Sequence, residues 1–355
     1  MVLWALALAI LGAWIFAGRR AAAPVAVAGW AAITLLHLLL PGLAARMVGG
    51  SLSVWLVIGG AGALVWGYTR LLRALRRRAA PEDGPPTVAT RDDASLSDAE
   101  LDRYARHLVL REIGGPGQMR MKRASVLIVG AGGLGAPVCL YLAAAGVGRI
   151  TIADDDAVSL SNLQRQVIFA TADVGRNKAE AAADAMAALN GHLRLAALDR
   201  RITDDDVALI GEHDLVIDGT DSFAAREAVN RACVAAGVPL VAGAIAQWEG
   251  QVTLYDPARG GPCLSCVFPD PPAPGQALPC AEAGVVGALP GVVGSLMALE
   301  AIKHLAGVTA SGAGQGLRGR MLIFDGLWGE TRTIAVERRP DCPVCGPRYS
   351  STSGA

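Results

Sequence analysis

Hydrophobic and polar residues are distributed unevenly along this chain, and the change falls near residue 80. Three apolar runs come first, at about 1–18, 24–45 and 51–69, and each approaches the roughly 20 residues that a helix needs to cross a bilayer. The stretch 79–95 is polar and rich in proline, which predicts a linker. Shorter apolar runs follow over 96–347 and predict a folded domain, with a disordered tail at 348–355.

The pattern within 96–347 predicts strands and helices in alternation, beginning with a capping box at Ser97 and Glu100. We expect an α/β fold in which a doubly wound, mostly parallel sheet of the Rossmann type is covered by helices on both faces. Glycine and proline crowd residues 256–291, which predicts a long crossing loop of the kind that is usually functional. The predicted helices cover about 98–112, 133–146, 175–190 and 291–306, with another after residue 221, and the predicted strands cover 125–129, 149–153, 214–217, 239–243, 250–255 and 321–324.

Charge separates the two parts of the chain as sharply as hydropathy does. Residues 1–78 hold eight arginines and no acidic residue, and five of those arginines follow the third apolar run. The positive-inside rule then places the N-terminus outside and everything after Arg70 in the cytoplasm. We expect residues 1–78 to form an all-α, multi-pass domain of three helices in the inner (cytoplasmic) membrane. A cleaved signal peptide at 1–20 and buried helices of a soluble protein are the alternatives.

The rest of the chain is mildly acidic. It holds 24 basic residues against 32 acidic ones, a formal charge of −8. Such a domain has no basic field of the kind that nucleic-acid binding requires, so nucleic acid is not expected among its partners.

A glycine-rich turn, GAGGLG at 130–135, follows the first predicted strand of the folded domain and precedes a helix. Gly130, Gly132 and Gly135 would let the backbone turn tightly and approach a phosphate, and Gly133 lies in the same turn. The helix would point its free N–H groups at that phosphate. Asp154 ends the next predicted strand, close to where a Rossmann fold keeps its ribose-binding acid. The turn is a weak signal on its own, because every Rossmann-type nucleotide binder shares it.

The polar segment SNLQRQ at 161–166 narrows the interpretation. Nicotinamide enzymes have no standard need for an asparagine and an arginine just beyond the second strand, whereas an enzyme that acts on a triphosphate does. Asn162 and Arg165 therefore favour a nucleoside triphosphate over a dinucleotide.

The chain has seven cysteines, and four of them form two CxxC pairs: Cys263, Cys266, Cys342 and Cys345. Stable disulfides are disfavoured in a cytoplasmic domain, whereas four thiolates suit a closed tetrahedral zinc site. We expect a structural zinc ion that joins the crossing segment to the C-terminal part, with redox-active or unliganded thiols as the alternative. Cys139 and Cys233 fall on predicted helices beside small apolar residues and are expected in the core.

Taken together, the motifs resemble the MoeB/ThiF/HesA family, the bacterial relatives of ubiquitin-activating enzymes, and MoeB most of all. The resemblance covers about 96–347, and the first 78 residues are a departure, because typical soluble members lack them. The matching segments are RYARH at 103–107, GGPGQ at 114–118, GAGGLG at 130–135, DDDAV at 154–158, SNLQRQ at 161–166, VGRNK at 174–178, DGTD at 218–221, EGQ at 249–251 and the two CxxC pairs.

The resemblance implies ATP-dependent adenylation of the C-terminal glycine of a small ubiquitin-like sulfur-carrier protein, with release of pyrophosphate. A C-terminal carboxyl group has a pKa of about 3.3–3.7, so it is ionised at pH 7 and its attack on the α-phosphate needs no general base. The site must instead offset the repulsion between two anions, which calls for cations and Mg²⁺. By resemblance, Arg165 and Lys178 would contact phosphates, Asn162 would help to hold the nucleotide, and Asp221 would bind Mg²⁺.

The other roles implied by the resemblance concern the ribose and a second subunit. Asp154 would accept hydrogen bonds from the ribose hydroxyls, and Asp156 is a further nucleotide-binding candidate. Arg106 would reach across a two-fold homodimer to the γ-phosphate of its neighbour. Without the resemblance, Arg106 and Lys178 would be interpreted as solvated surface residues, and Asp221 as a helix N-cap. Arg226 and Asn230 are either support for this site or surface positions.

Cys280, in the predicted crossing loop, is either a catalytic nucleophile or an incidental thiol. MoeB-like members can stop at the adenylate, whereas ThiF-like members go on to use a loop cysteine. No rhodanese-like segment follows the second CxxC pair, so we expect a separate sulfur donor, a cysteine desulfurase or a rhodanese.

The favoured interpretation is a membrane-anchored adenylyltransferase for a MoaD-like carrier in molybdenum cofactor biosynthesis. Activation of a ThiS-like carrier in thiamine biosynthesis is the nearest alternative. A Rossmann-type dinucleotide-dependent oxidoreductase and a membrane scaffold that has lost catalysis are alternatives of other classes.

Overall fold

The computed structural model describes residues 19–48, 51–79, 95–270 and 284–346. Two compact units make up the chain, Met1–Arg91 and Asp92–Ala355. The boundary falls within the predicted linker.

The first unit is helical over most of its described residues. Helix α1 (Arg19–Leu39) ends before Pro41, a residue type that lacks an N–H and disfavours helical backbone at the position before it. Helix α2 (Pro41–Met47) and the long helix α3 (Leu52–Ala79) follow. The predicted span over 24–45 is therefore wrong as one continuous helix, and the span over 51–69 continues through the arginines. The first predicted span, about 1–18, lies outside the described residues.

Aromatic side chains join α1 to α3. The indole N–H of Trp30 donates to the main-chain carbonyl of Trp55 at 2.7 Å, and the ring of His37 lies 6.4 Å from that of Trp55. His37 is buried, and its Nδ1 lies 3.0 Å from the carbonyl of Ile33, one helical turn earlier. Many large apolar side chains around this contact are exposed, among them Leu38 and Leu39.

Within the described parts of the chain, one helix, Ala288–Leu305, is long and apolar enough to span a membrane, and half of it is buried inside the second unit. The pair formed by α2 and Leu52–Leu64, bent by 73°, makes a second candidate if it is counted as one span. The three-helix membrane domain stays a prediction.

The described residues of the second unit form one sheet of eight strands in the order β3-β2-β1-β4-β5-β6-β7-β8. The five strands from β3 to β5 pair in parallel, and β6, β7 and β8 continue the sheet as antiparallel neighbours. The α/β fold is thus confirmed, and the sheet is a mixed one in which the parallel part ends at β5. The strands are β1 (Ser125–Val129), β2 (Arg149–Ala153), β3 (Arg194–Leu198), β4 (Leu215–Asp218), β5 (Leu240–Ala246), β6 (Glu249–Tyr255), β7 (Arg320–Asp325) and β8 (Glu330–Ala335).

Helices cover both faces of this sheet, and short 3₁₀ turns lie at Leu160–Asn162, Thr171–Asp173 and Pro257–Arg259. The helices are α4 (Asp98–Arg103), α5 (Ala105–Leu108), α6 (Gly114–Arg123), α7 (Gly135–Ala145), α8 (Lys178–Leu189), α9 (Val207–Gly211), α10 (Phe223–Ala236), α11 (Leu264–Val267) and α12 (Ala288–Leu305).

The predicted helix over 98–112 is wrong as a single element. The capping box is present, since the Ser97 hydroxyl accepts from the Glu100 N–H and the Glu100 carboxylate accepts from the Ser97 N–H. The helix nevertheless breaks at Tyr104, whose buried hydroxyl accepts a hydrogen bond from the Asn190 amide at 2.9 Å. Gly146 leaves the room that this ring requires, because a Cβ there would lie 2.4 Å from it. Tertiary packing of Tyr104 thus overrides the helical pattern.

Two hydrophobic layers enclose the parallel strands. Alternate residues of a strand point to opposite faces, so Ile128 packs in the layer that contains α7 and α12, whereas Leu127 packs in the layer that contains α10. All five residues of β1 are buried, as expected for a central parallel strand covered on both sides. Cys139 lies in the first layer and Cys233 in the second, which confirms that both are core residues.

Candidate nucleotide site and cysteine cluster

The glycine-rich turn joins β1 to α7 and packs its backbone directly against the loop that follows β4. Gly130 has φ +88°, a conformation that residues with a side chain rarely adopt. A Cβ on Gly135 would lie 1.9 Å from the carbonyl oxygen of Gly130, and a Cβ on Gly130 would lie 3.1 Å from the backbone of Gly219. Two of the predicted glycines are therefore required by the turn itself.

Asp154 ties the end of β2 to this turn. One carboxylate oxygen accepts from the Ala131 N–H at 2.7 Å, and the other accepts from the Asp156 N–H at 2.9 Å. Burial raises the pKa of the Asp154 carboxyl group, against the opposing effect of the nearby Lys178 ammonium. Each oxygen keeps a further lone pair, so Asp154 can still accept from a ligand hydroxyl.

Lys178 is the first residue of α8, and its side chain is 6% exposed. The alternative of a solvated surface lysine is therefore wrong. Its ammonium group lies 2.7 Å from the Asp156 carboxylate, which is itself 60% exposed. The pair places one buried cation and one accessible anion beside Asp154.

The segment 161–166 lies against the glycine-rich turn. A guanidinium nitrogen of Arg165 donates to the Asn162 side-chain oxygen at 3.0 Å, and the Arg165 Cδ lies 3.8 Å from where a Cβ on Gly133 would be. Gln166 is buried, and its side-chain oxygen has no hydrogen-bond partner among the described residues. A Cβ on Gly132 would lie 3.6 Å from the Gln166 amide nitrogen. The structure thus places Asn162 and Arg165, the two predicted polar residues, beside the glycine-rich turn.

Asp221 follows β4, in a loop whose conformation is held by hydrogen bonds from neighbouring side chains. The buried carboxylate of Asp218 accepts from both the N–H and the hydroxyl of Thr220, and Arg226 donates to the Thr220 carbonyl at 2.6 Å. Burial raises the pKa of the Asp218 carboxyl group, more than the Arg226 guanidinium lowers it. Arg226 therefore supports this loop, which agrees with the first of the two interpretations given for it.

The Asp221 side chain is exposed and makes no hydrogen bond or ion pair with a described residue. The N-cap of α10 is Ser222, whose hydroxyl accepts from the Ala225 N–H at 3.2 Å. The alternative of Asp221 as a helix N-cap is therefore wrong, and its carboxylate is available to a ligand.

Three other candidate residues have different outcomes. Arg106 is exposed on α5 and makes no hydrogen bond or ion pair with a described residue. Cys280 lies outside the described residues. Asn230 contacts a different segment: its side-chain oxygen accepts from the Leu264 N–H at 2.9 Å and its amide donates to Ser265 at 3.3 Å. It supports the cysteine cluster. It does not support the edge of the sheet that carries the glycine-rich turn, Asp154 and Lys178, which we call the nucleotide edge.

The four cysteines of the two CxxC pairs converge in a buried cluster, with all four sulfur atoms within 4.8 Å of one another. Neighbouring sulfurs lie 3.7 Å apart between Cys263 and Cys266, 3.6 Å between Cys263 and Cys342, and 3.4 Å between Cys266 and Cys345. Tetrahedral zinc with Zn–S bonds of about 2.3 Å requires sulfurs about 3.8 Å apart. The four thiols therefore fit a zinc ion, with no position left open for a substrate.

Asn177 was missed as an individual residue by the sequence reasoning. It lies within the VGRNK segment at 174–178, and its place in that segment is the feature of the sequence that could have identified it. Its amide bonds to the main chain after β2 and to Asp199 after β3.

Known proteins match most of the second unit in sequence. A model of the ThiF family matches residues 104–344. The sulfur carrier protein adenylyltransferase of Thermus thermophilus is 49% identical over 252 residues, which are 70% of this chain and 91% of that protein. The SAMP-activating enzyme E1 of Haloferax volcanii is 44% identical over 71% of this chain and 91% of its own length.

A further relative is a longer protein, and solved structures share the fold. The mouse adenylyltransferase and sulfurtransferase MOCS3 is 46% identical over 80% of this chain, and the match spans 61% of the mouse protein. Among solved structures, E. coli MccB with AMPCPP and MccA superposes with a TM-score of 0.60 at 24% identity, covering 72% of this chain and 76% of that one. The structural likeness shows the shared fold.

Proposed function

This chain belongs to the ThiF family, and from that membership we propose that it is an ATP-dependent adenylyltransferase. Its substrate would be the C-terminal glycine of a small ubiquitin-like sulfur-carrier protein. The names of the Thermus and Haloferax relatives describe activities of this class. In the proposed reaction a carrier carboxylate oxygen bonds to the α-phosphorus of ATP, the bond to the β-phosphate oxygen breaks, and pyrophosphate leaves.

The observation that carries this proposal is the set of groups at the carboxyl edge of the parallel strands. A buried lysine, Lys178, and an arginine, Arg165, lie near the glycine-rich turn. The attacking carboxylate carries no proton at pH 7, so the reaction needs charge neutralisation rather than a general base. Arg165 and Lys178 would contact the phosphates, Asn162 would orient Arg165, and Asp154 would accept from the ribose hydroxyls.

Mg²⁺ would be bound by Asp221. The carboxylate is an oxygen donor of the kind that Mg²⁺ prefers, it is exposed, and Asp218, Thr220 and Arg226 hold its loop. Three more carboxylates, those of Asp154, Asp155 and Asp156, have oxygens within 4.8 Å of one another. When bound, Mg²⁺ would reduce the charge of the triphosphate; Asp221 would serve as its protein ligand.

Zinc in the cysteine cluster would be structural. It would fasten the segment after β6 to the segment after β8, through the four thiolates and with a hydrogen bond from the Arg339 N–H to Cys266 at 3.4 Å. The burial of all four cysteines supports this assignment.

An exposed apolar surface supports a protein substrate. Trp248, Leu327 and Trp328 are 44%, 56% and 77% exposed, and the Gly326 N–H donates to the Trp248 carbonyl at 2.8 Å, which holds the two turns together. Trp248 follows β5, whose carboxyl end lies at the same edge as the glycine-rich turn. A small folded carrier would rest on this surface while its C-terminal tail reaches the phosphates. A MoaD-like carrier is the leading candidate and a ThiS-like carrier the alternative.

We further propose a homodimer in which Arg106 acts on the nucleotide bound by the partner. Its exposure and its lack of a described partner within the chain support this role. A cysteine desulfurase or rhodanese would supply sulfur, and Cys280 would matter only if a covalent step follows adenylation.

Residues 1–78 would anchor the enzyme in the inner membrane with the adenylating domain in the cytoplasm. The absence of acidic residues before Glu82 and the exposed leucines of α1 support this proposal. Membrane flotation of the full chain, with and without residues 1–78, tests it: the full chain should float with lipid and the shortened chain should not.

ATP–pyrophosphate exchange by the full chain in detergent tests the main proposal. The assay contains Mg²⁺ and either a MoaD-like or a ThiS-like carrier, and each carrier lacking its last glycine is the matched control. Exchange with one intact carrier alone would establish the reaction and identify the pathway. Absence of exchange with both carriers, from zinc-loaded protein that binds ATP, would contradict the proposed substrate, and tighter binding of NAD than of ATP would favour the oxidoreductase.

A further inference from the structure

Asn177 occupies the junction between the ends of two strands and the start of α8. It is the N-cap of that helix, and its side-chain oxygen accepts from the Glu180 N–H at 3.1 Å. Its amide nitrogen donates to the Asp154 carbonyl at 2.9 Å and to the Asp199 carboxylate at 2.8 Å. Both halves of the amide are therefore engaged at once.

The neighbours of this amide fix its orientation. Turned over, its oxygen would face a carbonyl and a carboxylate, and its NH₂ group would face the Glu180 N–H, so both sides would repel. The amide nitrogen also lies 3.4 Å from the Asp156 carbonyl. A residue with one donor end and one acceptor end is thus required here.

Lys178 is the next residue, and it is bonded to the same strand end. Its N–H donates to the Asp156 carbonyl at 2.9 Å, and its ammonium group reaches the Asp156 carboxylate at 2.7 Å. Asn177 fastens this pair to the rest of the edge, because it holds the main chain at Asp154 and the end of β3 at Asp199. The position of Lys178 is therefore set both by its own backbone hydrogen bond and by the side chain of Asn177.

We propose that Asn177 is a positioning residue for Lys178, one that sets where the lysine ammonium meets the phosphates of ATP. The inference rests on the phosphate-binding role given to Lys178 in the proposed function. Capping of α8 and positioning of Lys178 are separable, since aspartate and serine are also good N-caps but lack the amide donor.

The test measures ATP affinity by calorimetry, with Mg²⁺, on the full chain and five variants. Asn177→Asp keeps the cap and turns a carboxylate toward Asp199, so ATP should bind about 10-fold more weakly. Asn177→Ser keeps the cap without adding charge and should show a smaller loss of the same kind. Adding Asp199→Asn to Asn177→Asp should restore part of the affinity, because the exchanged pair can bond again.

The remaining comparison separates positioning from a general structural effect. Lys178→Ala should weaken ATP binding, and the double variant Asn177→Asp with Lys178→Ala should bind ATP as Lys178→Ala does. Full additivity in the double variant, or wild-type affinity in both Asn177 variants, would overturn the inference while leaving the proposed function intact. Wild-type affinity in Lys178→Ala would instead remove the phosphate role of Lys178, and the inference with it.

Discussion

The nucleotide edge and the cysteine cluster are both built from short polar motifs, yet they differ in what their functional groups face. At the nucleotide edge, the Asp221 carboxylate is exposed, and neither it nor the Gln166 amide oxygen bonds to a described residue. In the cluster, four thiols are buried and turned toward one another. The first region therefore leaves groups available to a ligand, whereas the second brings together four thiols that fit a zinc ion.

The two regions also depend differently on the chain. The glycine-rich turn forms within one strand–turn–helix unit, where the glycines are required by local backbone contacts. The cluster unites segments that lie beyond β6 and beyond β8, so it exists only once the antiparallel part of the sheet is in place. Substitutions in the first region should reduce activity, and substitutions in the second should reduce stability.

The largest expected effect comes from removing a thiol of the cluster. Cys342→Ala should lose the zinc ion and lower the free energy of unfolding by more than about 4 kcal/mol, the range seen when a metal site is lost. Zinc content by atomic absorption and urea denaturation measure the two results. Cys233→Ala, a buried cysteine outside the cluster, should keep its zinc; equal zinc contents in the two variants would contradict the assignment.

Removing the Asp221 carboxylate should reduce activity and leave stability unchanged. Asp221→Ala should reduce ATP–pyrophosphate exchange by about 100-fold or more, because the charge of the triphosphate is no longer offset through Mg²⁺. The thermal midpoint should stay as in the wild type, since Asp221 bonds to no described residue. Asp205→Ala, an exposed aspartate in another loop, serves as the control. Near-normal exchange by Asp221→Ala would exclude Asp221 from the magnesium role.

Asn230, which bonds to the segment between Cys263 and Cys266, sharpens the distinction between the two regions. Asn230→Ala should destabilise the chain by about 2 kcal/mol, because it leaves the buried Leu264 N–H without an acceptor. Ser265→Ala removes only the longer bond of 3.3 Å and should cost less. We expect exchange activity per folded molecule to be unchanged in both, as measured beside urea denaturation. A large loss of activity at full stability would return Asn230 to the nucleotide edge.

The smallest expected effect is on the pH dependence of folding stability, and it comes from His213. Burial lowers the pKa of His213 from its ordinary value of 6.5, and the ring bonds to Leu209 and Thr151. Protons therefore bind the unfolded chain more readily, and stability is lost as pH falls below 6.5 toward the folded-state pKa. His213→Gln should flatten this part of the stability profile, as measured by urea denaturation at a series of pH values. An unchanged slope in His213→Gln would contradict the attribution.

Local sequence was sufficient for the central elements of the fold. The glycine-rich turn, the apolar run of β1 and the helices of small residues predicted α7 and the buried strands close to their observed bounds. Other elements escaped notice because their sequences lack a periodic apolar pattern. Helix α6 begins GGPG, and the residues of β8 are all exposed at the edge of the sheet. Such segments are held by their neighbours rather than by their own propensity.

The sequence by itself determined the chemistry available to this protein. The order of the motifs, the two CxxC pairs and the acid-free first 78 residues follow from residue types and spacing, because glycine conformation, thiolate chemistry and hydropathy are properties of single residues. Tertiary structure decided which groups remain available. It buried Lys178 against Asp156, gave the N-cap of α10 to Ser222 and so freed Asp221, and turned Asn230 toward the cysteines. Those outcomes depend on contacts between segments far apart in the chain.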